Sequence, residues 1–315
     1  MNYPRRNLGF ESEDQLRAFL RALSAAAIPG KFAYVGEAAA TYNAHALTKK
    51  YGQVTRSVAD ESSLLLEVWG QELNSIRTLV DVGPGNGLHG AELLQRLLAT
   101  ANWSPSDYLV IDHSLHMAEL AMQNMKRLVR EIQVNSILFD IESTFTQASS
   151  HLPDALESMY LLLGNTIGNV ESVSRAIEGI RSLAGSGARF LIGCALFDEC
   201  RSAESYLEPY RMKTYIDCVL RPLMMIGAPR RSMAFTAEFN PETKTISTLV
   251  RFKEDFQADV LDESVTVKAG STIRCALSRR FLPGEIPNLL ERRNVSVLGM
   301  AEDLRNGHGT YCAII

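Results

Sequence analysis

Short apolar segments alternate with amphipathic helical segments between residues 78 and 193, and this alternation limits the possible folds more than any other feature of the chain. Strands are predicted at 78–82, 108–111, 136–139, 159–163 and 189–193. Helices are predicted at 88–100, 117–131 and 173–184. Such β–α–β units build a parallel sheet, and strands that are apolar along their whole length are typical of a sheet covered on both faces. The predicted fold class is therefore α/β with a doubly wound sheet.

The segments before and after this region follow a different pattern. Before it, helices are predicted at 12–28, with Ser12 as the N-cap, and at 60–74. After residue 200, the pattern predicts a helix at 206–225, antiparallel strands at 232–239, 245–252 and 264–267, and turns at Asn240-Pro241 and Lys268-Ala269-Gly270. The chain closes with a helix at 283–293 and strands at 295–300 and 310–315. These last two strands would raise the number in the main sheet to seven.

A glycine-rich loop follows the first strand of the alternating region and opens a helix. Its sequence is Asp81-Val-Gly83-Pro-Gly85-Asn-Gly87. Glycine lets the chain turn sharply and lets the backbone approach a ligand closely. A dinucleotide-binding loop has the pattern G-x-G-x-x-G, and its third glycine would fall on Leu88. The pattern here favours the methionine part of S-adenosylmethionine. A nicotinamide-dependent oxidoreductase is the alternative.

Two carboxylates follow the next two strands. Asp112 ends the second strand, where it could accept both ribose hydroxyls, and Asp140 ends the third, where it could receive an adenine amino group. Either residue could instead cap a helix, Asp112 the one that begins near Ser114. Ligands of open α/β sheets bind at the carboxyl ends of the strands. The loop and the two carboxylates together therefore predict S-adenosylmethionine as the cofactor.

A narrower resemblance appears after the fourth strand. The segment Gly164-Asn-Thr-Ile-Gly-Asn169 resembles the G-[ST]-T-I-G-N segment of the histidine-specific amino-acid N-methyltransferases of ergothioneine biosynthesis. Three other segments are similar to that family's K-x-x-Y, Y-Y-P-T-R and I-R-x-E-x-S-x-K-F segments, namely Lys31–Tyr34, Tyr51–Arg56 and Ile273–Phe281. The likeness runs over most of the chain.

The resemblance implies a seven-stranded, Rossmann-like class I methyltransferase core, whose last strand inserts antiparallel, and a second, smaller α+β domain. The S-adenosylmethionine-binding domain would comprise residues 61–199 and 281–315. The substrate-recognition domain would comprise residues 1–60 and 200–280. Besides Gly85 and Gly87 of the loop, the donor site would be lined by Gly83, His89, Asp112, Asp140 and Ile141.

The same resemblance implies roles for residues on the substrate side. Asn169 and Tyr206 would hold the amino and carboxylate groups of an amino acid. Tyr51 would assist at the carboxylate, and the backbone of Gly164 would lie alongside. Tyr34 would face the reacting amine, so that Tyr34 and Asn169 are the candidate catalytic residues.

Each of these roles has an alternative. Asn169 could cap the following helix. Tyr34 and Tyr51 could be half-buried aromatic packing. Tyr210 competes with Tyr206 for the substrate role, because the alignment passes through a variable helix.

Departures from the family pattern bear on specificity. Ala276 stands where the family has the glutamate that faces the imidazole, while Ser278 is retained. Thr248 stands at a position that is Met in the family, and Val54 replaces the proline of the P-T-R segment. An unpaired buried donor on a ligand costs about 1–3 kcal/mol. We therefore expect a substrate other than histidine, either an amino acid or an amino-acid-derived metabolite. A catalytically inactive binding protein on the same fold is a further alternative.

Composition limits the partners. The formal net charge of −4 argues against nucleic acid or an anionic membrane surface as a partner. The sequence lacks a signal peptide and an apolar run of about 18 residues, which predicts a cytoplasmic protein. The five cysteines form no C-x-x-C pair, which predicts reduced, buried thiols and no metal. A small-molecule substrate of the amino-acid type is the expected partner.

Overall fold

A computed structural model describes residues 8–49, 51, 57–101, 103–130, 132–143 and 152–315. The chain divides into two units. Unit 1 consists of Met1–Tyr51, Ser114–His116 and Arg201–Ser278, and unit 2 consists of Gly52–His113, Met117–Cys200 and Arg279–Ile315.

The helices and strands of the described residues have the following bounds. The α-helices are α1 Glu13–Ser24, α2 Glu37–Ala46, α3 Val58–Trp69, α4 Leu88–Thr100, α5 Leu115–Leu128, α6 Val173–Ala184, α7 Ala203–Leu207, α8 Lys213–Met225 and α9 Glu285–Glu291. The strands are β1 Thr78–Val82, β2 Asp107–Asp112, β3 Gln133–Leu138, β4 Ser158–Leu162, β5 Arg189–Ala195, β6 Met233–Asn240, β7 Thr245–Phe252, β8 Phe256–Val260, β9 Glu263–Val267, β10 Thr272–Arg279, β11 Ser296–Asp303 and β12 His308–Ile314.

Unit 2 contains a seven-stranded sheet in the order β11-β12-β5-β4-β1-β2-β3. The five strands β1 to β5 run parallel, and β12 pairs antiparallel with both β5 and β11. The order reverses at β1, whose neighbours are β4 and β2. The prediction of a doubly wound α/β fold with seven strands and an antiparallel last strand is confirmed.

Apolar packing covers both faces of this sheet. One core contains Leu65 of α3, Leu94 of α4 and Met125 of α5. The core on the other face contains Ile177 of α6 and Leu290 of α9. Because side chains on both faces of β1 and β4 are buried, these strands are apolar along most of their length, which is why their sequence pattern was continuous.

Unit 1 combines α1, α2 and α8 with a three-stranded antiparallel sheet in the order β10-β7-β6 and the hairpin β8-β9. Ser12 caps α1 as predicted, because its hydroxyl accepts from the N–H of Gln15 at 3.1 Å. Phe19 and Leu20 of α1, Leu220 of α8 and Phe252 of β7 belong to one buried core. The turn at Asn240 is confirmed, since its side chain accepts from the two backbone N–H groups that follow Pro241.

Several predicted elements have different bounds. The helix predicted at 12–28 ends at Ser24, because Ala26 takes a left-handed conformation and the N–H of Ile28 bonds to the carbonyl of Arg274. The helix predicted at 206–225 is interrupted by a 3₁₀ turn that contains Pro209. Strands β8 and β10 and the helix α2 were not predicted.

Candidate active site

The glycine-rich loop between β1 and α4 needs its glycines. Gly83, Gly85 and Gly87 all have left-handed φ angles, of +64°, +59° and +76°. A Cβ at Gly83 would lie 2.9 Å from Cγ2 of Thr166, and a Cβ at Gly87 would lie 2.8 Å from Cα of Ala121. A side chain at either position would therefore collide with the neighbouring segment. The loop is a tight turn at the carboxyl end of β1.

Behind the loop, Asp81 is buried at the end of β1. The hydroxyl of Tyr108 donates a hydrogen bond to Oδ2 of Asp81. Burial is the largest influence on this carboxyl group, and it raises the pKa to about 7 although Tyr108 acts in the opposite direction. Gly90 of α4 packs directly onto this pair, since a Cβ there would lie 2.3 Å from Oδ2 of Asp81 and 2.4 Å from Oη of Tyr108.

Asp112 ends β2 on the neighbouring strand, as the sequence predicted, and its side chain is buried. Its Oδ1 lies 3.2 Å from Nδ1 of His113. The N–H groups of Leu115 and His116, at the start of α5, donate to Glu11 at 2.8 and 3.1 Å. Glu11, and not Asp112, is therefore the acceptor for these two helix-terminal donors.

Asp140 lies two residues beyond the end of β3 and shapes a turn. Its Oδ1 accepts from the N–H of Glu142 at 3.0 Å, and residues 144–151, where a helix would have to follow, lie outside the described residues, so the alternative of a helix cap stays untested. The backbone carbonyl of the next residue, Ile141, packs against α6 at Gly179. A Cβ at Gly179 would lie 2.2 Å from the carbonyl oxygen of Ile141, so only glycine fits there. The side chain of Glu142 accepts from the N–H of Ser172, the N-cap residue of α6. This network holds residues 140–142 against α6.

Near the start of α4, a buried acid lies close to two histidines. Nε2 of His89 is 2.7 Å from Oε2 of Glu61, and Nε2 of His308 is 3.5 Å from Oε1 of the same carboxylate. Glu61 is fully buried on α3. Sequence reasoning missed Glu61 and gave His308 no role, because the three residues are far apart in the chain and no spacing connects them.

The segment after β4, which contains Gly164 and Asn169, contacts the glycine-rich loop through Thr166. Gly164 has a φ of +68°, and Oγ1 of Thr166 donates to the carbonyl of Gly83 at 3.3 Å. Nδ2 of Asn165 donates to Oδ1 of Asn169 at 3.3 Å. The predicted alternative that Asn169 caps α6 is wrong, since the hydroxyl of Ser172 accepts from the first turn of that helix.

The side-chain amide of Asn165 is hydrogen-bonded to two other segments of unit 2. The sequence did not indicate this structural role. Its Oδ1 accepts from the N–H of Ala195 at 3.0 Å, and its Nδ2 also donates to the carbonyl of Arg279 at 3.2 Å. Two hydrogen bonds to the backbone thus fix the amide that orients Asn169.

In unit 1, aromatic rings connect Tyr34 and Tyr51 to further tyrosines. We call the following residues the tyrosine cluster: Tyr34, Tyr42, Tyr51, His45, Tyr215 and Tyr210. Successive members of that series pack edge to face, with ring centroids 4.7 to 6.0 Å apart. The hydroxyls of Tyr42 and Tyr51 are 2.6 Å apart, and burial raises the pKa of both phenols, so both are neutral near pH 7. The aromatic packing proposed as an alternative for Tyr34 and Tyr51 is present.

Tyr206 and Thr248 lie on the same side of the three-stranded sheet. The ring of Tyr206 stacks on Phe239 with centroids 5.1 Å apart. Thr248 of β7 pairs with Ala237 of β6, which lies two positions before Phe239, so Thr248 is on the same face as Phe239. Thr248 is also hydrogen-bonded to Tyr215. Tyr210 packs on Tyr215 instead, so the two competing tyrosines occupy different places in unit 1.

Ala276 and Ser278 lie two positions apart on β10, and both side chains are buried. The hydroxyl of Thr248 donates to the backbone carbonyl of Ala276 at 3.4 Å. Glu238 is exposed and, by strand alternation, lies on the face opposite Ala237 and Thr248. The predicted segment 51–56 is described only at Tyr51, and Val54 lies outside the described residues.

Other predicted features concern cysteines, metals and membranes. Four cysteines are buried, whereas Cys200 is exposed, so the expectation of a buried thiol is wrong there. In the described part of the chain, no three His, Cys, Asp or Glu side chains are grouped as a metal site would require. No helix among the described residues is long and apolar enough to cross a membrane.

A family model described as histidine-specific, S-adenosylmethionine-dependent methyltransferase matches residues 12–313. The chain belongs to this methyltransferase family. No curated protein gives a significant match to the chain.

Among solved structures, similar folds include three methyltransferases. The 1,6-didemethyltoxoflavin-N1-methyltransferase of Burkholderia thailandensis is 12% identical, with 100% of this chain and 92% of that chain covered and a TM-score of 0.45. The magnesium protoporphyrin IX methyltransferase of Synechocystis is 12% identical, with coverage of 87% and 93% and a TM-score of 0.46. The CcbJ methyltransferase of Streptomyces caelestis is 11% identical, with coverage of 81% and 88% and a TM-score of 0.42.

Membership of this family makes S-adenosylmethionine the methyl donor. The loop of unit 2 fits such a ligand, because its three left-handed glycines let the backbone turn tightly at the carboxyl end of β1, where ligands of open α/β sheets bind. Asp112 follows at the end of the adjacent parallel strand, and residues 140–142 follow the next. The three features that the sequence predicted for the donor site therefore follow three adjacent parallel strands, β1, β2 and β3.

Proposed function

We propose that this methyltransferase transfers a methyl group to the amino nitrogen of a free amino acid, or of an amino-acid-derived metabolite, other than histidine. One observation carries the proposal: Asn165 holds Asn169 by a hydrogen bond next to the glycine-rich loop. An oriented amide can bind both an amine and a carboxylate. The donor-side assignments of Gly83, Gly85, Gly87, His89, Asp112, Asp140 and Ile141 are part of the same proposal.

The orientation of Asn169 supports its proposed role. Its Oδ1 accepts from Asn165, so its Nδ2 is directed away from that partner and can donate to a substrate carboxylate. The second lone pair of Oδ1 can accept from an N–H of the amine. Gly164, whose left-handed backbone has open space where a Cβ would be, supplies a backbone surface beside the substrate.

The tyrosines of unit 1 supply further hydrogen-bond donors. Tyr42 and Tyr51 share one hydrogen bond, and if Tyr42 donates it, the hydroxyl of Tyr51 is left to donate to a carboxylate. Tyr34 packs at the end of the tyrosine cluster, where we propose that its hydroxyl faces the reacting amine. Tyr206, stacked on Phe239, is the second residue proposed for the amino and carboxylate groups.

Bound S-adenosylmethionine supplies a methyl group on a positively charged sulfur that is already activated for displacement. The chain's own residues mainly position the acceptor. Asn169 and Tyr34 would orient an unprotonated amine so that its lone pair forms the new N–C bond. The amine loses one proton to water before transfer, and the methylated ammonium can lose another afterwards, so no strong general base is required.

The residues around Ala276 support a substrate other than histidine. A methyl side chain cannot accept from an imidazole N–H, and Thr248 already bonds within the protein, to Tyr215 and to the carbonyl of Ala276. Glu238, the acid that could have replaced the missing glutamate, is exposed on the opposite face of β6. Ser278 is the retained polar side chain at this place.

The test is a mass-spectrometric screen of amino acids and their derivatives with S-adenosylmethionine, followed by kcat/KM for the best substrate and for L-histidine. We expect histidine to be a poor substrate of the wild type. In Ala276→Glu, kcat/KM for histidine should rise relative to kcat/KM for the best substrate of the wild type, because the new carboxylate can accept from the imidazole N–H. Apolar fit alone discriminates between substrates by about 10–200-fold, and a site that hydrogen-bonds a polar group of the substrate discriminates far more strongly.

Two controls accompany the screen. Ala276→Glu should bind S-adenosylhomocysteine as tightly as the wild type, which shows that unit 2 is intact. Asn169→Ala should raise KM for the substrate and lower kcat while leaving donor affinity nearly unchanged. If histidine is the best substrate of the wild type, the specificity argument is wrong, and if Asn169→Ala loses donor binding alone, the residue belongs to the other site.

A further inference from the structure

Glu61, His89 and His308 form a buried cluster in unit 2. Glu61 comes from α3, His89 from the first turn of α4 and His308 from β12. The carboxylate is fully buried, and its two oxygens lie 2.7 Å from Nε2 of His89 and 3.5 Å from Nε2 of His308. The hydroxyl of Ser57 lies 3.4 Å from Nε2 of His89.

This carboxylate is charged, and its charge acts on His89. Burial alone would raise the pKa of Glu61, but the two histidines outweigh burial and lower it to about 2. Burial would also lower the pKa of His89, yet Glu61 outweighs this effect and raises it, with smaller contributions from Asp81 of β1 and Glu92 of α4. Both shifts act in the direction that favours a carboxylate at Glu61 paired with an imidazolium at His89.

The position of His89 in the structure indicates the role of a positive charge on its imidazole. His89 is the second residue of α4, and only Leu88 separates it from the glycine-rich loop that ends at Gly87. The amino end of a helix favours an anion, and a protonated imidazole beside it does the same. S-adenosylmethionine has one anionic group, the carboxylate of its methionine part. Glu61 occupies Nε2 of His89, which leaves Nδ1 as the nitrogen that can donate to that group.

We propose that Glu61 is a positioning residue of the donor site, which orients His89 and keeps it positively charged as a hydrogen-bond donor to the carboxylate of S-adenosylmethionine. The proposal rests on the donor role of His89 in the proposed function. Glu61 does not touch the donor. Its effect reaches the ligand only through the ring of His89, while Nε2 of His308 lies 3.5 Å from the far oxygen of Glu61.

Binding measurements by calorimetry test this role with two probes. S-adenosylhomocysteine has the carboxylate, whereas 5′-methylthioadenosine keeps the adenosine and lacks the amino-acid part. In Glu61→Gln, the affinity for S-adenosylhomocysteine at pH 8.5 should fall by about tenfold, the scale that separates charged from neutral hydrogen bonds. It should recover at pH 5.5, where the imidazole of His89 is protonated again. The affinity for 5′-methylthioadenosine should not change.

Controls separate this role from general effects of charge or packing. Glu67→Gln removes an exposed negative charge from α3, the helix that carries Glu61, and should leave both probes unaffected. His89→Gln should weaken S-adenosylhomocysteine about tenfold at both pH values, and adding Glu61→Gln to it should weaken binding no further. This coupling is the result that a merely structural Glu61 would not produce.

A titration of His89 by NMR keeps the proposal testable if Glu61→Gln does not fold. In the wild type, His89 should remain protonated at pH 7.5. A neutral His89 at that pH, or equal affinity of the folded Glu61→Gln variant for S-adenosylhomocysteine at pH 8.5, overturns the proposal. Failure of the wild type to bind S-adenosylhomocysteine would instead overturn the donor-site assignment itself.

Discussion

Asp81 shows how one buried residue can set a pH dependence. Its pKa is raised by burial to about 7 in the folded chain, against 3.8 in an unfolded one. Between about pH 4 and 7 the unfolded chain ionises at this position and the folded chain does not, so stability falls as the pH rises through that window. In Asp81→Asn this loss is absent, because the amide is neutral and can still accept from Tyr108.

We expect the free energy of unfolding of Asp81→Asn, relative to the wild type, to increase from pH 4 to 7 and to level off above pH 7. Urea denaturation across this range measures it. Tyr108→Phe is the control, since Tyr108 lowers the pKa of Asp81, and its removal should extend the window to higher pH. A difference between Asp81→Asn and the wild type that does not change with pH would contradict the assignment.

Tyr42 is a second residue with a specific expected effect. Its hydroxyl lies 2.6 Å from that of Tyr51 and orients it. In Tyr42→Phe, KM for the substrate should rise by about 2–12-fold, which corresponds to a hydrogen bond of about 0.5–1.5 kcal/mol, while donor affinity stays unchanged. Tyr160→Phe is the matched control, because it removes a buried hydroxyl from unit 2 that has no hydrogen-bond partner among the described residues. An unchanged KM in Tyr42→Phe would remove Tyr51 from the substrate site.

Residues whose role follows from local backbone geometry could be predicted from the sequence. The left-handed glycines at 83, 85 and 87 and the N-cap Ser12 are of this kind, since each depends on its immediate neighbours. Glu61 and Tyr42 could not be predicted in the same way. Glu61 meets His89 and His308 only through the packing of α3, α4 and β12, and 247 positions separate it from His308 in the printed sequence.

At the scale of elements, the 3₁₀ turn Thr166–Gly168 joins β4 to the Asn169 position and depends on Gly168. A Cβ at Gly168 would lie 2.4 Å from Oδ1 and 2.6 Å from Nδ2 of Asn165. In Gly168→Ala, Asn165 must move and lose its bonds to the backbone of Ala195 and Arg279. We expect the free energy of unfolding to fall by about 1–3 kcal/mol and KM for the substrate to rise.

A double-mutant cycle isolates the cause of this effect. Chemical denaturation of Gly168→Ala, Asn165→Ala and the double variant gives the coupling energy. Once Asn165 is reduced to alanine, Gly168→Ala should have little further effect on stability. Additive losses in the double variant would show that the alanine disturbs the turn by another route.

The elements differ in how far their sequences reveal them. Strands β1 and β4 are buried on both faces, so their continuous apolar pattern predicted them. Strand β10 buries Cys275 and Ala276 in succession, which breaks the alternation that identifies an antiparallel strand. The helix predicted at 206–225 has the right apolar spacing, but Pro209 falls where α7 gives way to a 3₁₀ turn.

At the scale of the whole molecule, unit 1 is assembled from segments that are distant in sequence. The N-terminal segment reaches β10 through a parallel bridge between Ala27 and Arg274, and α1 shares its core with α8 and β7. The sequence pattern of one segment does not indicate which distant segment it packs against, because each segment contributes only its own side of the contact. The resemblance to the methyltransferase family, and not hydrophobic periodicity, led to the expectation of a split second domain.

The chain as a whole should lose stability in acid because both units contain a carboxylate with a lowered pKa. For Glu61 in unit 2 and for Glu11 in unit 1 the pKa is about 2. Burial raises the pKa of Glu11, but hydrogen bonds from Ser114 and from the N–H groups of Gly36, Leu115 and His116 outweigh it. Each carboxylate therefore contributes stability that is fully present above about pH 4.5 and is lost as the pH falls towards 2.

Glu11→Gln isolates the contribution of unit 1. At pH 7 the variant should be less stable than the wild type by about 1.5–3 kcal/mol, the scale of hydrogen bonds to a charged group, and the difference should disappear as the pH falls from 4.5 towards 2. Urea denaturation at pH 7, 4.5 and 3 measures this. Ser114→Ala should cost less, because the backbone donors to Glu11 remain. If the deficit of Glu11→Gln were the same at pH 3 as at pH 7, it would come from packing and not from charge, and the acid sensitivity of the molecule would have to arise elsewhere.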